Sequence, residues 1–166
     1  FTLDEYANRK YKYDKKIYIV EPSALIYNQD KYYLRAYSPE NEQMRNYRVD
    51  RMTEVQMMDC DVSKNAMISA DELTEYTNSV FGMYSGKSEN IVLKFKDSLL
   101  DVIYDRFGED ANVSRFNENT CMVFAKVQVS GMFFGWLMQF PDKVQIISPE
   151  CLIKEYQEWK NKEFIE

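Results

Sequence analysis

Residues 89–166 alternate between strand-like and helix-like hydrophobic periods in a fixed order, and this order constrains the fold more than any other feature. The strand-like segments are short apolar or alternating runs, at 91–95, 113–116, 122–129 and 143–147. The helix-like segments, at 98–107 and 132–140, place apolar residues on one face. The resulting order β-α-β-β-α-β predicts a ferredoxin-like domain. Ser148 as cap and Pro149 at the first helical position predict one more helix after it.

The first 60 residues contain several short strand-like runs. β-branched and aromatic residues form runs at 17–20, 25–27 and 32–37, and residues 45–58 are a longer extended candidate. Residues 6–16 alternate Tyr and Lys and predict a loop or an exposed hairpin. Short, closely spaced strands of this kind favour a small barrel or a strongly bent sheet.

Between these parts, the sequence predicts a connector with one helix. Ser69 and Glu72 fit a capping box, so the helix begins near Ser69 and runs to about Val80. The predicted organisation is a β-barrel domain at 1–60, a connector at 61–88 and a ferredoxin-like domain at 89–166. The predicted fold class is therefore α+β.

Charge and tyrosine are distributed unevenly along the chain. The 21 basic and 27 acidic residues give a net charge of −6, which argues against a generic polyanion binder. Residues 1–58 carry a net charge of +1 and 9 of the 13 tyrosines, whereas residues 59–166 carry −7. This contrast favours a polar binding surface in the first part.

Several classes of chemistry are excluded or disfavoured by residue usage. The chain has no histidine, which excludes Ser-His-Asp triads, Cys-His dyads and HExxH zinc sites. Its three cysteines are far apart and form no CxxC pair, so we expect reduced thiols rather than disulfides or a zinc site. Asp97, Asp101 and Asp105 share a helical face, which would suit a metal-dependent hydrolase, but a solvated face is favoured. We expect no catalysis, no cofactor and no metal.

The longest apolar stretch, residues 131–140, is too short to cross a bilayer, and no signal peptide is visible. We therefore expect a cytoplasmic protein without membrane contact. Because the chain begins at Phe1 rather than Met, we expect it to be a piece of a longer protein. The aromatic residues on nearly every side of 131–140 leave two alternatives, a helix between sheet and last helix or an interface helix.

Three ordered blocks in the first part resemble the WYL domain of bacterial transcriptional regulators. They are Pro22-Ser23-Ala24-Leu25, Lys31-Tyr32-Tyr33-Leu34 and 45–51, read as Arg-Asn-Tyr-Arg-Val-Asp-Arg. Downstream, 105–108, 134–137 and 148–150 resemble the C-terminal extension (WCX) that usually follows a WYL domain. The chain departs from the family pattern at Ser23, where Tyr is frequent, and at Tyr32, which replaces the Trp of the motif.

The resemblance implies a Sm-like, SH3-type barrel followed by the extension, in a homodimeric regulator. It also implies a winged helix-turn-helix domain that binds duplex DNA and that this chain lacks. The remaining part would sense an effector, either single-stranded nucleic acid or a nucleotide-like ligand. By family position, the predicted ligand-binding residues are Ser23, Tyr33, Arg45, Arg48 and Arg51.

Physical chemistry supports this set because aromatic rings stack on bases and Arg forks bind phosphate. In a regular strand, Tyr33, Arg35 and Tyr37 share one face. Arg45, Tyr47 and Arg51 share another, with Arg48 and Asp50 opposite them unless a bend or bulge brings Arg48 back. We expect the Tyr32 and Leu34 side to be core.

Three alternatives remain open. The arginines and Asp50 could form a purely structural ion-pair lattice around an empty barrel, in a unit that only dimerises. The chain could bind single-stranded nucleic acid without a gene-control role. An enzyme is the third alternative, against which the absence of histidine argues.

Overall fold

The computed structural model describes residues 2–6, 8–10 and 16–162. The chain divides into two compact units, residues 1–72 and 73–166. The described residues contain antiparallel sheets and four α-helices, which confirms the α+β class. No helix in these ranges has both the length and the apolar character needed to cross a membrane.

The first unit contains a small hairpin and a three-stranded sheet. The hairpin pairs β1 (Thr2–Leu3) with β2 (Arg9–Lys10). The antiparallel sheet has the order β3-β4-β5, formed by β3 (Glu21–Asn28), β4 (Lys31–Ser38) and β5 (Gln43–Arg48). Gln29 and Asp30 both have positive φ, which matches a two-residue hairpin turn between β3 and β4.

Two predicted strands differ from the structure. Residues 17–20 form no strand, and Ile17 is 84 % exposed, because no described strand pairs with this segment. The extended run predicted over 45–58 ends at Arg48, where a one-turn 3-10 helix, Val49–Arg51, turns the chain away. A strand-like sequence pattern identifies an apolar run, but the run forms a strand only where a neighbouring strand pairs with its backbone N–H and C=O groups.

The core of the first unit is small. Its described buried residues are Ile26, Ala36, Ser38 and Ala66. A 3-10 turn, Lys64–Ala66, lies against β3 and β4 and brings Ala66 to the sheet. Just before this turn, the Ser63 hydroxyl donates to the Glu21 carboxylate at 2.5 Å. The three strands form an open sheet, and no closed barrel exists among the described residues.

The second unit is built on a four-stranded sheet. Helix α1 (Ala70–Ser79) precedes it, with the predicted capping box between Ser69 and Glu72 in place. The elements that follow are β6 (Lys87–Lys96), α2 (Leu100–Phe107), β7 (Asn112–Asn117), β8 (Thr120–Val129), α3 (Gly131–Leu137), β9 (Val144–Ser148) and α4 (Glu150–Lys160). The strand order is β7-β8-β6-β9, and all neighbours are antiparallel. The predicted cap of α4 is one residue off, since Ser148 ends β9 and Pro149 is the cap.

Strand alternation and helix faces together form the core of this unit. Leu93, Val123 and Val127 are fully buried on one face of the sheet, against Ile103 of α2 and Phe133 of α3. On another side of α3, the Phe134 ring packs against α4, at 5.3 Å from the Tyr156 ring and 5.6 Å from the Trp159 ring, whereas Met132 is exposed. Of the two alternatives for this helix, the position between sheet and last helix is confirmed.

A buried guanidinium ties α2 to the segment after α1. Arg106 lies 3.7 Å from the centroid of the Phe81 ring and donates a hydrogen bond to the Val80 carbonyl at 2.6 Å. Burial lowers the pKa of Arg106 to about 10, so it stays charged at neutral pH. The side chain combines a cation–π contact with satisfaction of a buried carbonyl.

Candidate functional site

The register of the first sheet brings an aromatic ring and a guanidinium together. Tyr33 on β4 pairs directly with Arg48 on β5. Paired residues in an antiparallel sheet point to the same face, with Cβ atoms about 5 Å apart. Arg35 and Asn46 form the next pair on that face, and an Arg35 guanidinium nitrogen donates to the Asn46 side-chain oxygen at 3.4 Å. We call this side of the sheet the Tyr33 face.

Arg48 makes a two-pronged contact with Asp50. Its Nε donates to Oδ1 at 3.0 Å, and its Nη2 donates to Oδ2 at 2.6 Å. These hydrogen bonds are the main reason that the pKa of Asp50 is lowered. The Arg48 guanidinium is therefore oriented for a bidentate contact, and the same geometry binds a phosphate. Both side chains reach solvent, so the pair is accessible.

Two further cations lie near Asp50. The charges of Lys31 and Arg51 add to that of Arg48 in lowering the pKa of the carboxyl. We call Lys31, Arg48 and Arg51 the basic cluster. Sequence reasoning missed Lys31, although it begins the strand that runs antiparallel to β5, whose last residue is Arg48. The strand order explains the meeting, because the start of one antiparallel strand lies beside the end of its neighbour.

Ser23 lies at an irregularity of β3. The register shifts between Pro22 and Ala24, so Ser23 has no cross-strand partner. Its hydroxyl oxygen is buried and contacts no hydrogen-bond partner among the described residues. A buried polar atom of this kind is costly to leave without a partner, and bulges are frequent next to binding sites.

Arg45 is separated from the other predicted ligand residues. It pairs with Ala36, which shares one face of β4 with Leu34. Because side chains alternate along a strand, this is the face opposite Tyr33 and Arg48. Its guanidinium donates to the Asn41 side-chain oxygen at 2.9 Å. The structure thus pairs Tyr33 with Arg48 and sets the charge of Arg51 near Asp50, the partner of Arg48, and it places Arg45 on the other side of the sheet. A ligand role for Arg45 stays a prediction.

The face that carries Tyr32 is not the core that the alternation predicts. Tyr32 is 54 % exposed and lies 5.1 Å from the Tyr27 ring, and Leu25 on the same face is 62 % exposed. Only the Ala36 end of this face is buried. The prediction fails because an open three-stranded sheet has too few elements to cover this face.

Comparison with known proteins bears on this sheet in particular. The family model of the WYL domain matches residues 5–57. The first part of this chain is a WYL domain. All five predicted ligand residues and Lys31 lie within the WYL domain.

Whole-chain comparisons add little to this assignment. No curated protein matches the chain. Among solved structures, it is similar to proteasome accessory factor B/C (PafBC) of Arthrobacter aurescens, with 19 % identity and a TM-score of 0.41. The alignment covers 84 % of this chain and 21 % of that chain, so this chain spans about a fifth of that protein. A TM-score of 0.41 does not establish a common fold.

The side chains of this site suit a ligand that combines an anionic group with an aromatic ring. The basic cluster offers three cations around one carboxylate, and Tyr33 offers an aromatic ring beside Arg48. Within the described ranges, no group of three or more Cys, Asp or Glu side chains is placed to hold a metal ion.

Proposed function

We propose that this chain is the effector-sensing and dimerising region of a bacterial transcriptional regulator. In this proposal, the WYL domain binds single-stranded nucleic acid or a nucleotide-like ligand. The family supports the regulatory setting, and one observation carries the ligand class, namely the Tyr33–Arg48 pair within the basic cluster. We assign no catalytic activity to the chain, and we place the regulator in the cytoplasm.

The proposed binding step exchanges one anion for another. A phosphate takes the place of the Asp50 carboxylate on Arg48, and Lys31 and Arg51 add charge to the same spot. A base or sugar then lies against Tyr33, for which a stacking contact contributes about 1–3 kcal/mol. The Ser23 hydroxyl supplies one polar contact if the ligand reaches the bulge of β3.

Signal transmission requires a difference in affinity between two arrangements of the regulator. We propose that the bound ligand favours one placement of the WYL domain and the second unit across a homodimer. That placement would position helix-turn-helix domains of the same regulator on duplex DNA. A ligand shifts such an equilibrium only by its difference in binding free energy between the two states.

We further propose that the second unit is the C-terminal extension typical of WYL regulators, with a ferredoxin-like arrangement. Its element order β6-α2-β7-β8-α3-β9 and its all-antiparallel strand order β7-β8-β6-β9 support this assignment. A Sm-like barrel in the WYL domain needs more paired strands than β3, β4 and β5, and it stays a prediction.

The test is fluorescence anisotropy of short labelled single strands with the full chain across a salt series. We expect Arg48→Ala to weaken binding by roughly 10-fold or more, because a charge-assisted hydrogen bond is lost. We expect Asp50→Asn to keep or strengthen binding, because it removes the competing carboxylate. Lys16→Ala is the matched control, since Lys16 is an exposed cation of the same unit that pairs with Glu40.

The purely structural alternative makes a different prediction for the same variants. If the Arg48–Asp50 pair only stabilises the sheet, Asp50→Asn and Arg48→Ala destabilise the fold alike and neither changes affinity. Equal affinity of native chain and Arg48→Ala would therefore reject the ligand site. A helix-turn-helix encoded upstream would separate a regulator from a module that only binds single strands.

A further inference from the structure

The sheet of the second unit has one buried face and one open face. Along β6, Ile91, Leu93 and Phe95 are buried, whereas the residues between them are not. The strand register extends this division to β7, β8 and β9. We define the open face by these strand positions: Ser88, Asn90, Val92, Lys94, Lys96, Asn112, Ser114, Thr120, Met122, Phe124, Lys126, Gln128, Gln145 and Ser148. Phe116 lies at a register shift of β7 and belongs to the open face because its ring contacts the Lys94 ammonium.

Two phenylalanines on the open face expose their rings. Phe116 on β7 is 54 % exposed, and Phe124 on β8 is 45 % exposed. The two rings lie on adjacent strands, since Phe124 pairs with Asn112 of β7, four residues before Phe116. Val92 and Met122 lie among them and are half-buried, so the centre of the face is apolar. A shallow depression lies beside Phe124 and Val92.

The open face is basic although its unit is acidic. Residues 73–166 hold 10 basic and 14 acidic residues, yet no position of the open face is Asp or Glu. Three of its positions are lysines, and the Lys94 ammonium lies 5.5 Å from the centroid of the Phe116 ring. The unit thus concentrates positive charge around its exposed rings.

Two carboxylates from outside the face reach its lysines. Lys96 lies 3.6 Å from Asp142, and Lys126 lies 2.9 Å from Glu75. All four side chains are about half exposed or more. Such surface pairs contribute little to stability, so a phosphate can replace the carboxylates at small cost.

We propose that the open face is a second surface for single-stranded nucleic acid. Phe116 and Phe124 stack on two non-adjacent bases, and Lys94, Lys96 and Lys126 contact the phosphates around them. Exposed aromatic rings combined with lysines on an antiparallel sheet are the features that single strands require. The positive charge of the face favours a polyanion over a second copy of this chain, because the acidic residues of a second copy lie outside its own open face. The proposal does not depend on the WYL site, since every residue in it belongs to the second unit.

The experiment uses the full chain with Arg48→Ala, which weakens the WYL site and leaves the open face as the main surface for binding. Anisotropy of labelled oligo-dT is measured with and without Phe116→Ala and Phe124→Ala. We expect each Phe substitution to weaken binding at least about fivefold. Tyr104→Ala is the matched control, because Tyr104 is a partly exposed aromatic residue of α2 that lies outside the open face. Lys94→Gln should reduce the salt slope by about 1.

Phe116→Leu and Phe124→Leu keep the apolar area and remove the aromatic ring. Because they preserve packing, they separate a loss of stacking from a loss of folding, and they distinguish a nucleic acid from a second copy as the occupant. Lost oligo-dT binding in these variants supports stacking. A concentration-dependent dimer in sedimentation that survives Leu and disappears with Ala would show that a second copy occupies the face, which overturns the proposal. The proposal also fails if the Arg48→Ala chain binds no oligo-dT. That result does not contradict ligand binding at the WYL site. Loss with the Phe variants but not with Arg48→Ala would reject the WYL site alone.

Discussion

A single methyl group at Gly86 tests the packing of the second unit most directly. Gly86 immediately precedes β6, whose first residue pairs with Val129 at the end of β8. A Cβ added at Gly86 would lie 1.7 Å from the Val129 carbonyl oxygen and 2.7 Å from its carbon. Ordinary contacts begin at about 3.4 Å, so Gly86→Ala must move one backbone away from the other.

The size of the effect follows from what that movement opens. The ladder loses one or two hydrogen bonds at about 1 kcal/mol each, and the buried Val129 side chain gains exposure costing about 1–2 kcal/mol. The lower entropy of an unfolded Ala chain returns only about 0.4–1 kcal/mol. We therefore expect Gly86→Ala to lower the free energy of unfolding of this unit by about 2–4 kcal/mol.

Tryptophan fluorescence during urea unfolding measures this unit specifically, because both tryptophans, Trp136 and Trp159, lie in it. Gly135→Ala is the control, since a Cβ at Gly135 in α3 meets nothing within 4 Å. There the same change should stabilise the unit by about 0.5–1 kcal/mol. An unchanged unfolding midpoint for Gly86→Ala would refute the close approach of Gly86 to Val129.

Three other perturbations have defined outcomes. Ser69→Ala removes the capping box with Glu72 and should cost about 1 kcal/mol in urea unfolding, which Ser69→Asp should largely restore. Phe133→Ala leaves a cavity in the core and should cost about 3–5 kcal/mol by the same assay. The hydrogen bond from Arg115 lowers the pKa of Asp97, so its stabilisation is complete above pH ~3.9 and is lost as pH falls through the folded-state pKa. Arg115→Ala should raise that pKa in an NMR titration of the carboxyl carbon, and an unchanged titration would show that the ion pair does not form in solution.

Local patterns were sufficient for much of the second unit. The order of strands and helices and the capping box of the helix that leads into this unit are encoded within a few residues. Period, caps and turn residues act over one or two turns of chain, so they can be recognised without knowing any partner. Residues 17–20 show the limit, since their strand pattern is strong and their described neighbours provide no strand to pair with.

The candidate sites depended on pairing between distant segments. Motif position pointed to Tyr33, Arg48 and Arg51, but only the β4–β5 register sets Tyr33 opposite Arg48 and brings Lys31 to Asp50. Alternation along β8 marked Phe124 and Lys126 as one side of a strand without saying which side is covered. The helices packed on the opposite side of the sheet decided that, because burial is a property of the assembled layers. The sequence determined which residues alternate, and the tertiary structure determined which of them meet solvent, since a strand presents two equivalent faces until something packs on one.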